Sequence, residues 1–198
     1  SAQYKHKKQT GGKGQYAEVY LRIEPLERGA GFEFTTKIVG GAIPSQYIPA
    51  VEKGLRETIA KGILSNNPIA DVKVELYDGT FHNVDSSEAA FKIAASKAFR
   101  LAFDDAKPVL LEPVVNIEVT IPSEFMGEIT GNLSSRRGRV QGMDAFGDLQ
   151  VVQASIPMDE VKNYETELKS MTGGRGSYTM EFSHYDVVPS HLVPAIIT

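Results

Sequence analysis

The chain of 198 residues contains no cysteine and no tryptophan. Without cysteine there are no disulfides and no thiolate metal sites, in keeping with a reducing compartment. No apolar run approaches the ~20 residues needed to span a bilayer, and no signal-peptide pattern stands at the start, so the sequence reads as soluble and cytoplasmic. There is no Gly-x-x-x-x-Gly-Lys-[Ser/Thr] phosphate loop and no glycine-flanked nucleophile elbow. His6, His82, His184 and His191 are too scattered for obvious metal-ligand spacing. His82, Asp85 and Ser86 make a poor hydrolase trio, because adjacent residues do not converge easily on one imidazole. Neither a catalytic centre, a metal nor a cofactor is expected within these residues.

Acidic residues are also missing from one place. None precedes Glu18, while Lys5, Lys7, Lys8 and Lys13 lead into Gly11-Gly12-Lys13-Gly14-Gln15-Tyr16. Elsewhere the balance reverses: 15 Lys and Arg stand against 13 Asp and Glu up to Leu110, and 6 against 12 beyond it. Three of those six bases are Arg136, Arg137 and Arg139. The net charge of −4 therefore argues against indiscriminate nucleic-acid binding and leaves two local basic patches. Glycines let a loop approach a polyanion closely, backbone N–H groups can turn to phosphate oxygens, and lysines add sequence-independent attraction. A basic terminus is by itself more often a solvated end. The reading gains weight from a second segment, Phe81-His82-Asn83-Val84-Asp85-Ser86-Ser87-Glu88, which reads as a loop entering a helix.

A hydrophobic content of 41% supports one large or two small packed domains. Gln15 to Glu24 alternates apolar and polar residues, the signature of a half-buried strand, and Phe32 to Val39 is expected to pair back on it across a turn at Arg28-Gly29-Ala30-Gly31. Pro44 to Lys61 carries Ile48, Val51, Leu55 and Ile59 at helical spacing, stopped by Gly62. Ile69 to Tyr77 alternates again and is expected to end in a tight turn at Asp78-Gly79. Asp85 or Ser86 with Glu88 suggests a capping box for a helix to about Asp104, with Ala90, Ile93, Ala94, Ala98, Leu101 and Ala102 inward and Phe91 and Phe99 flanking. The remainder reads strand–helix–strand–strand–helix–strand. Its segments are Val114–Ile121, a helix capped by Ser123 with Met126, Ile129 and Leu133 inward, a hairpin across Gly147-Asp148, Met158–Met171 and Gly176–Asp186. That order is the split βαβ plan of ferredoxin-like domains.

Taken in order, the two loops, Gly40-Gly41-Ala42-Ile43-Pro44, Tyr47-Ile48-Pro49-Ala50-Val51, Ala106 to Pro113, Gly131 to Gly138 and Gly176 to Phe182 resemble domains IV and V of the translation elongation factor G (EF-G) family. The resemblance spans nearly the whole chain after Ser1-Ala2. It implies an α+β protein in which a two-layer domain, residues 1–111, of the ribosomal-protein-like domain IV type, precedes a ferredoxin-like βαββαβ domain, residues 112–188. A tail, 189–198, is expected to pack back on the first domain.

It further implies that Gly11, Gly12, Lys13, Gly14, Gln15, His82 and Asn83 form a tip that meets the small-subunit decoding region and the tRNA–mRNA duplex. Gln15 and His82 can donate to 2′-hydroxyls or base edges, and His82 can also stack. Arg136, Arg137 and Arg139 are implied to face large-subunit RNA and the stalk base, although basic residues at a helix end are also favoured simply by the dipole. GTP and Mg²⁺ would belong to a separate G domain. Asp144-Ala145-Phe146-Gly147 fits a GTPase Asp-x-x-Gly pattern, yet without a phosphate loop it reads as a hairpin turn. A monomer with ribosomal and RNA partners and no membrane partner is expected.

Three departures from the family pattern stand out: Ala17 after Tyr16 where glycine is common, Lys162-Asn163 before Tyr164 in place of Phe-Gly, and Lys169 for an arginine. They suggest a diverged paralogue and leave open a specialised or ribosome-protection factor beside the translocase; a stand-alone enzyme using the His82 and Asp85 region is a third reading. The unbroken Phe81-to-Ser87 loop favours the translocase.

Overall fold

The computed structural model describes residues 1–9 and 11–197. The chain divides into two compact units, Ser1–Pro108 with Ile196 and Ile197, and Val109–Ala195.

In the first unit, strands β1 (Ala2–Lys8), β2 (Gln15–Pro25), β3 (Phe32–Thr36) and β4 (Val72–Thr80) carry helices α1 (Ile48–Lys61) and α2 (Glu88–Asp105). The alternation begins earlier than Gln15. Ala2, Tyr4 and His6 turn inward while Gln3, Lys5 and Lys7 face out, so much of the basic N-terminus is a strand rather than a frayed end. The sheet order is β1-β2-β4-β3, which corrects the expected pairing of Phe32 onward with β2. β3 instead runs parallel to β4, with Phe34 opposite Val74, and α1 forms the crossover between them. Asp78-Gly79 is likewise not a turn. Both residues sit inside β4, beyond a bulge at Tyr77 where the register slips between Tyr20–Asp78 and Leu21–Leu76.

The cap of α2 is Ser87, whose Oγ accepts from the Ala90 N–H at 3.2 Å. Glu88 is then the first helical residue, too early to reach back, so the capping box gives way to a simple Ser cap. The buried face of α2 is also rotated from the expected stripe. Phe91 and Phe99 are fully buried with Ala90, Ala94, Ala95, Ala98 and Ala102, whereas Ile93 and Leu101 are 39% and 50% exposed. Four-residue spacing of alanine pairs brings the helix close to the sheet, and the two rings fill the remaining depth beside Val19, Leu21, Val74 and Leu76. α1 buries Val51, Leu55 and Ile59, and its Thr58 Oγ1, which donates to the Gly54 carbonyl at 2.8 Å, lies 2.8 Å from Ser96 Oγ of α2 and accepts from it.

The second unit holds β5 (Leu111–Pro122), α3 (Met126–Ser135), β6 (Arg139–Phe146), β7 (Leu149–Pro157), α4 (Tyr164–Met171) and β8 (Ser177–Val187); a short α5 (Val193–Ile197) follows in the chain and ends in residues grouped with the first unit. The antiparallel order β6-β7-β5-β8 is that of a ferredoxin-like sheet, and the protein is α+β with a sheet in each unit. Its core joins Ile117, Val119 and Ile121 of β5 to Ile129, Leu133, Val152, Ile156, Tyr164 and Leu168.

Two local expectations change. Ser123 does not cap α3: its N–H and Oγ both donate to the Asp148 carbonyl, at 2.9 and 3.0 Å, and tie the helix entry to the β6–β7 turn. Met126, expected inward, is 36% exposed. The helix expected over Met158–Met171 is broken, because Lys162 is extended and Asn163 is left-handed at φ 61°. A 3-10 turn, Met158–Val161, therefore precedes α4. Tyr164 at the start of α4 is completely buried, which pushes its phenol up to about 12 despite the Arg136 guanidinium over the ring. Among the described residues, no helix is long and apolar enough to cross a membrane.

Candidate functional site

The glycine-rich segment 11–14 is the turn of the β1–β2 hairpin, with Lys8 opposite Gln15 at its base. Gly11, Gly12 and Lys13 are exposed, and Gly14 and Gln15 are half-buried. The segment 81–87 lies between β4 and α2, where His82 and Asn83 are exposed. Since β2 and β4 are neighbours in the sheet, both loops emerge from the same end of it.

The two loops are locked together. The Tyr16 N–H donates to the Asp85 carbonyl at 2.9 Å, and Ser86 Oγ donates to the Tyr16 carbonyl at 2.7 Å. Ser86 Oγ also accepts from the His82 N–H at 2.9 Å, while the Ser86 N–H donates to the His82 carbonyl at 3.1 Å. Gly14 completes the clasp by its lack of a side chain: a Cβ there would lie 2.5 Å from the Asp85 carboxyl carbon. Ser86, read from sequence as a helix-cap candidate, is thus the pin between the loops. Ser86→Ala is expected to cost about 1 kcal/mol, the worth of the lost bonds, and to speed hydrogen exchange at the Tyr16 and His82 amides while leaving the rest of the sheet protected.

His82 is held with equal definition. Its Nδ1 accepts from the N–H groups of Val84 and Asp85, both at 3.2 Å. With that lone pair committed, the neutral ring carries its proton on Nε2. Asp85 Oδ2 lies 3.6 Å from Nδ1, too far for a hydrogen bond, and serves only as a charge nearby. The side chain is 52% exposed and its ring lies 6.2 Å, centroid to centroid, from that of Tyr16. Lys7, Lys8 and Lys13 make no ion pair among the described residues. Lys5 does, with Glu18 at 3.4 Å.

Glu18 is a partner that the strand pattern did not single out. It is only 4% exposed and accepts from Gln3, from Thr80 Oγ1 at 2.6 Å and from Tyr16 at 3.4 Å. Burial works against its charge, but the Thr80 and Gln3 hydrogen bonds and the Lys5 ammonium together hold its carboxyl below the usual range. The Tyr16 hydroxyl meets Thr80 Oγ1 at 2.7 Å, so this buried anion braces the base of the tip from the outer face of the sheet. Sequence shows it only as an acid between Ala17 and Val19, a setting that Glu33, Glu75 and Glu118 share, and the register placed it opposite Lys5.

The arginine cluster does not present three free cations. Arg136 is over the Tyr164 ring, 5.2 Å from guanidinium carbon to centroid, donates to the Glu160 carbonyl and pairs with Glu167. Arg137 makes a two-pronged pair with Glu112 and lies 3.7 Å from Glu160 Oε1. Arg139, at the start of β6, is exposed and unpaired among the described residues. Asp144, Ala145 and Phe146 end β6 and Gly147, at φ 61°, opens the hairpin turn.

Residues 1–107 match Elongation factor G, domain IV, and residues 109–196 match the Elongation factor G C-terminus. A crystal structure of ttk003000868 from Thermus thermophilus superposes with a TM-score of 0.81 at 47% sequence identity. The match covers 98% of this chain and 29% of that one. The present residues therefore correspond to under a third of that longer protein. The two matches together cover nearly all of the chain and agree with its two sheets, and the chain belongs to the elongation factor G family, as domain IV and the C-terminal domain of an EF-G-like translation factor.

Proposed function

We propose that this chain is the ribosome- and RNA-contacting portion of an EF-G-type translational GTPase that promotes movement of tRNA and mRNA during elongation. The observation that carries the reading is the clasp at Tyr16, Asp85 and Ser86, which makes two distant segments into one rigid tip. That tip offers Gln15 and the Nε2–H of His82 beside the unpaired Lys7, Lys8 and Lys13. Hydrogen-bond donors on a preorganised edge suit the shallow minor groove of an RNA helix, and the lysines supply attraction to its phosphates. Arg139 is the residue of the second unit best able to reach ribosomal RNA. Hydrolysis of GTP with Mg²⁺ belongs to a G domain outside these residues, which contain no phosphate-cradling loop. The first unit then acts as a probe that moves with that domain. A specialised factor of the same family is the second reading, favoured by Ala17 and Lys169 and disfavoured by the unbroken 81–87 loop.

In the full-length parent, Gln15→Ala or His82→Ala is expected to slow tRNA–mRNA movement and to leave ribosome-stimulated GTP hydrolysis close to its original rate. Rapid-kinetic measurement of both steps decides it. An equal loss of both would assign these residues to docking or folding and overturn the reading.

A further inference from the structure

We infer that His6 is a positioning residue for the tip: it fixes the side-chain amide of Gln15 so that the NH₂ group, and not the carbonyl, is left for a partner. The inference rests on the RNA-contacting reading above but concerns a residue outside both loops. His6 lies in β1 opposite Ala17, and Gln15 in β2 opposite Lys8, so the two are diagonal neighbours on the inner face of the hairpin. His6 Nε2 and Gln15 Oε1 are 2.7 Å apart and partly buried. An amide oxygen only accepts, so the imidazole donates through Nε2–H. One acceptor site of the Gln15 carbonyl is thereby used within the protein, which fixes the end of the amide that faces His6, and the two N–H bonds remain unspent.

The same logic governs the other loop. His82 spends its acceptor nitrogen on the Val84 and Asp85 amides and keeps a donor. Each of the two tip side chains has an ambiguous polar end, a rotatable amide and a tautomeric ring, and an internal hydrogen bond resolves each in the same sense. A pair of donors selects acceptors: base N3 and O2 atoms, 2′-hydroxyl oxygens and phosphate oxygens. A Gln15 amide free to turn over would offer an acceptor as readily and lose that selectivity.

The test uses this chain and an A-form RNA duplex as probe. His6→Leu keeps bulk and removes the donor, while His6→Gln restores an N–H at similar reach. His6→Leu is expected to weaken duplex binding about 2- to 12-fold, the equivalent of one ordinary hydrogen bond, and Gln15→Ala by a similar factor. Combined, they should cost little more than either alone, and His6→Gln should recover most of the affinity. Additive losses, or unchanged binding in His6→Leu, would overturn the inference. A direct readout stands apart from RNA. The Gln15 side-chain amide protons are expected to be dispersed and ordered by NMR in the parent chain and averaged in His6→Leu; identical resonances in both would also overturn it. If the parent chain fails to bind the duplex at all, the RNA-contacting reading falls and the amide resonances alone decide the positioning role.

Discussion

Arg137→Ala is expected to cost the second unit about 2–3 kcal/mol, far more than an exposed arginine is ordinarily worth. Arg137 follows α3 in the left-handed region at φ 62°. Its N–H donates to the Ser134 carbonyl at 3.2 Å and that of Gly138 to Leu133 at 2.8 Å, the paired bonds of a Schellman helix end. Glycine normally fills this position, and an L-residue there is strained by about 1–2 kcal/mol. The guanidinium offsets that strain by pairing with Glu112, whose side chain is only 12% exposed. That pairing raises the guanidinium further above its ordinary range, against the opposing effect of its own burial, so the charge is permanent.

Truncation leaves the Glu112 carboxylate largely buried without its cation. Loss of one partner from a fully buried pair costs about 3–5 kcal/mol, and the partial exposure of Arg137 reduces this. Arg137→Gly should be milder than Arg137→Ala, since it loses the same pair but releases the backbone strain. Urea denaturation of the two variants tests the order. Arg139→Ala is expected to leave stability within about 0.5 kcal/mol and to lower the slope of log K against log salt for ribosome binding by roughly 0.7–0.9. A stability loss for Arg139→Ala as large as that for Arg137→Ala would refute this division of the cluster into two arginines spent within the unit and one exposed cation.

Gly54→Ala is expected to destabilise the first unit by about 1–3 kcal/mol, although alanine is intrinsically the better helix former by about 1 kcal/mol. Gly54 is buried in the middle of α1, where a Cβ would sit 2.5 Å from the Lys92 carbonyl oxygen of α2. That oxygen is backbone and cannot swing aside, so the two helices would have to separate and loosen the Thr58–Ser96 hydrogen bond. Gly127 and Gly131 in α3 are the controls, because a Cβ at either meets nothing within 4 Å. Gly127→Ala or Gly131→Ala should stabilise the second unit by up to about 1 kcal/mol. Thermal melting of all three variants checks the sign, and a stabilising Gly54→Ala would mean that the α1–α2 contact is looser than described.

Much of the architecture could be read from local pattern. The second unit follows from period two giving way to helical spacing in the order β-α-β-β-α-β, and from Gly147-Asp148 between two strands. Errors fell where the outcome depends on a distant partner. The pairing of β3 with β4 is set by α1 passing between them, not by the turn at Gly29. Asp78-Gly79 has turn composition but is held in β4 by pairing with Val19 and Tyr20. The departure before Tyr164 became intelligible only in three dimensions: the backbone there is left-handed, and asparagine tolerates that region as few residues other than glycine do.

For the candidate site, composition drew attention to the glycine run and its lysines, while Gln15, His82 and Asn83 were named only through the resemblance to the family. Sequence alone also determined the absence of thiol chemistry and of a phosphate loop, and the alternation that makes most of the strands. What only the tertiary structure decided is which polar groups are spent and which remain. Ser86 binds a carbonyl 70 residues away, Arg136 and Arg137 are consumed within their own domain, and His6 and the Val84 and Asp85 amides choose the outward atoms of Gln15 and His82. A side chain's identity sets how many hydrogen bonds it can make. The packing of distant segments sets how many are already made, and only the remainder is available to a partner.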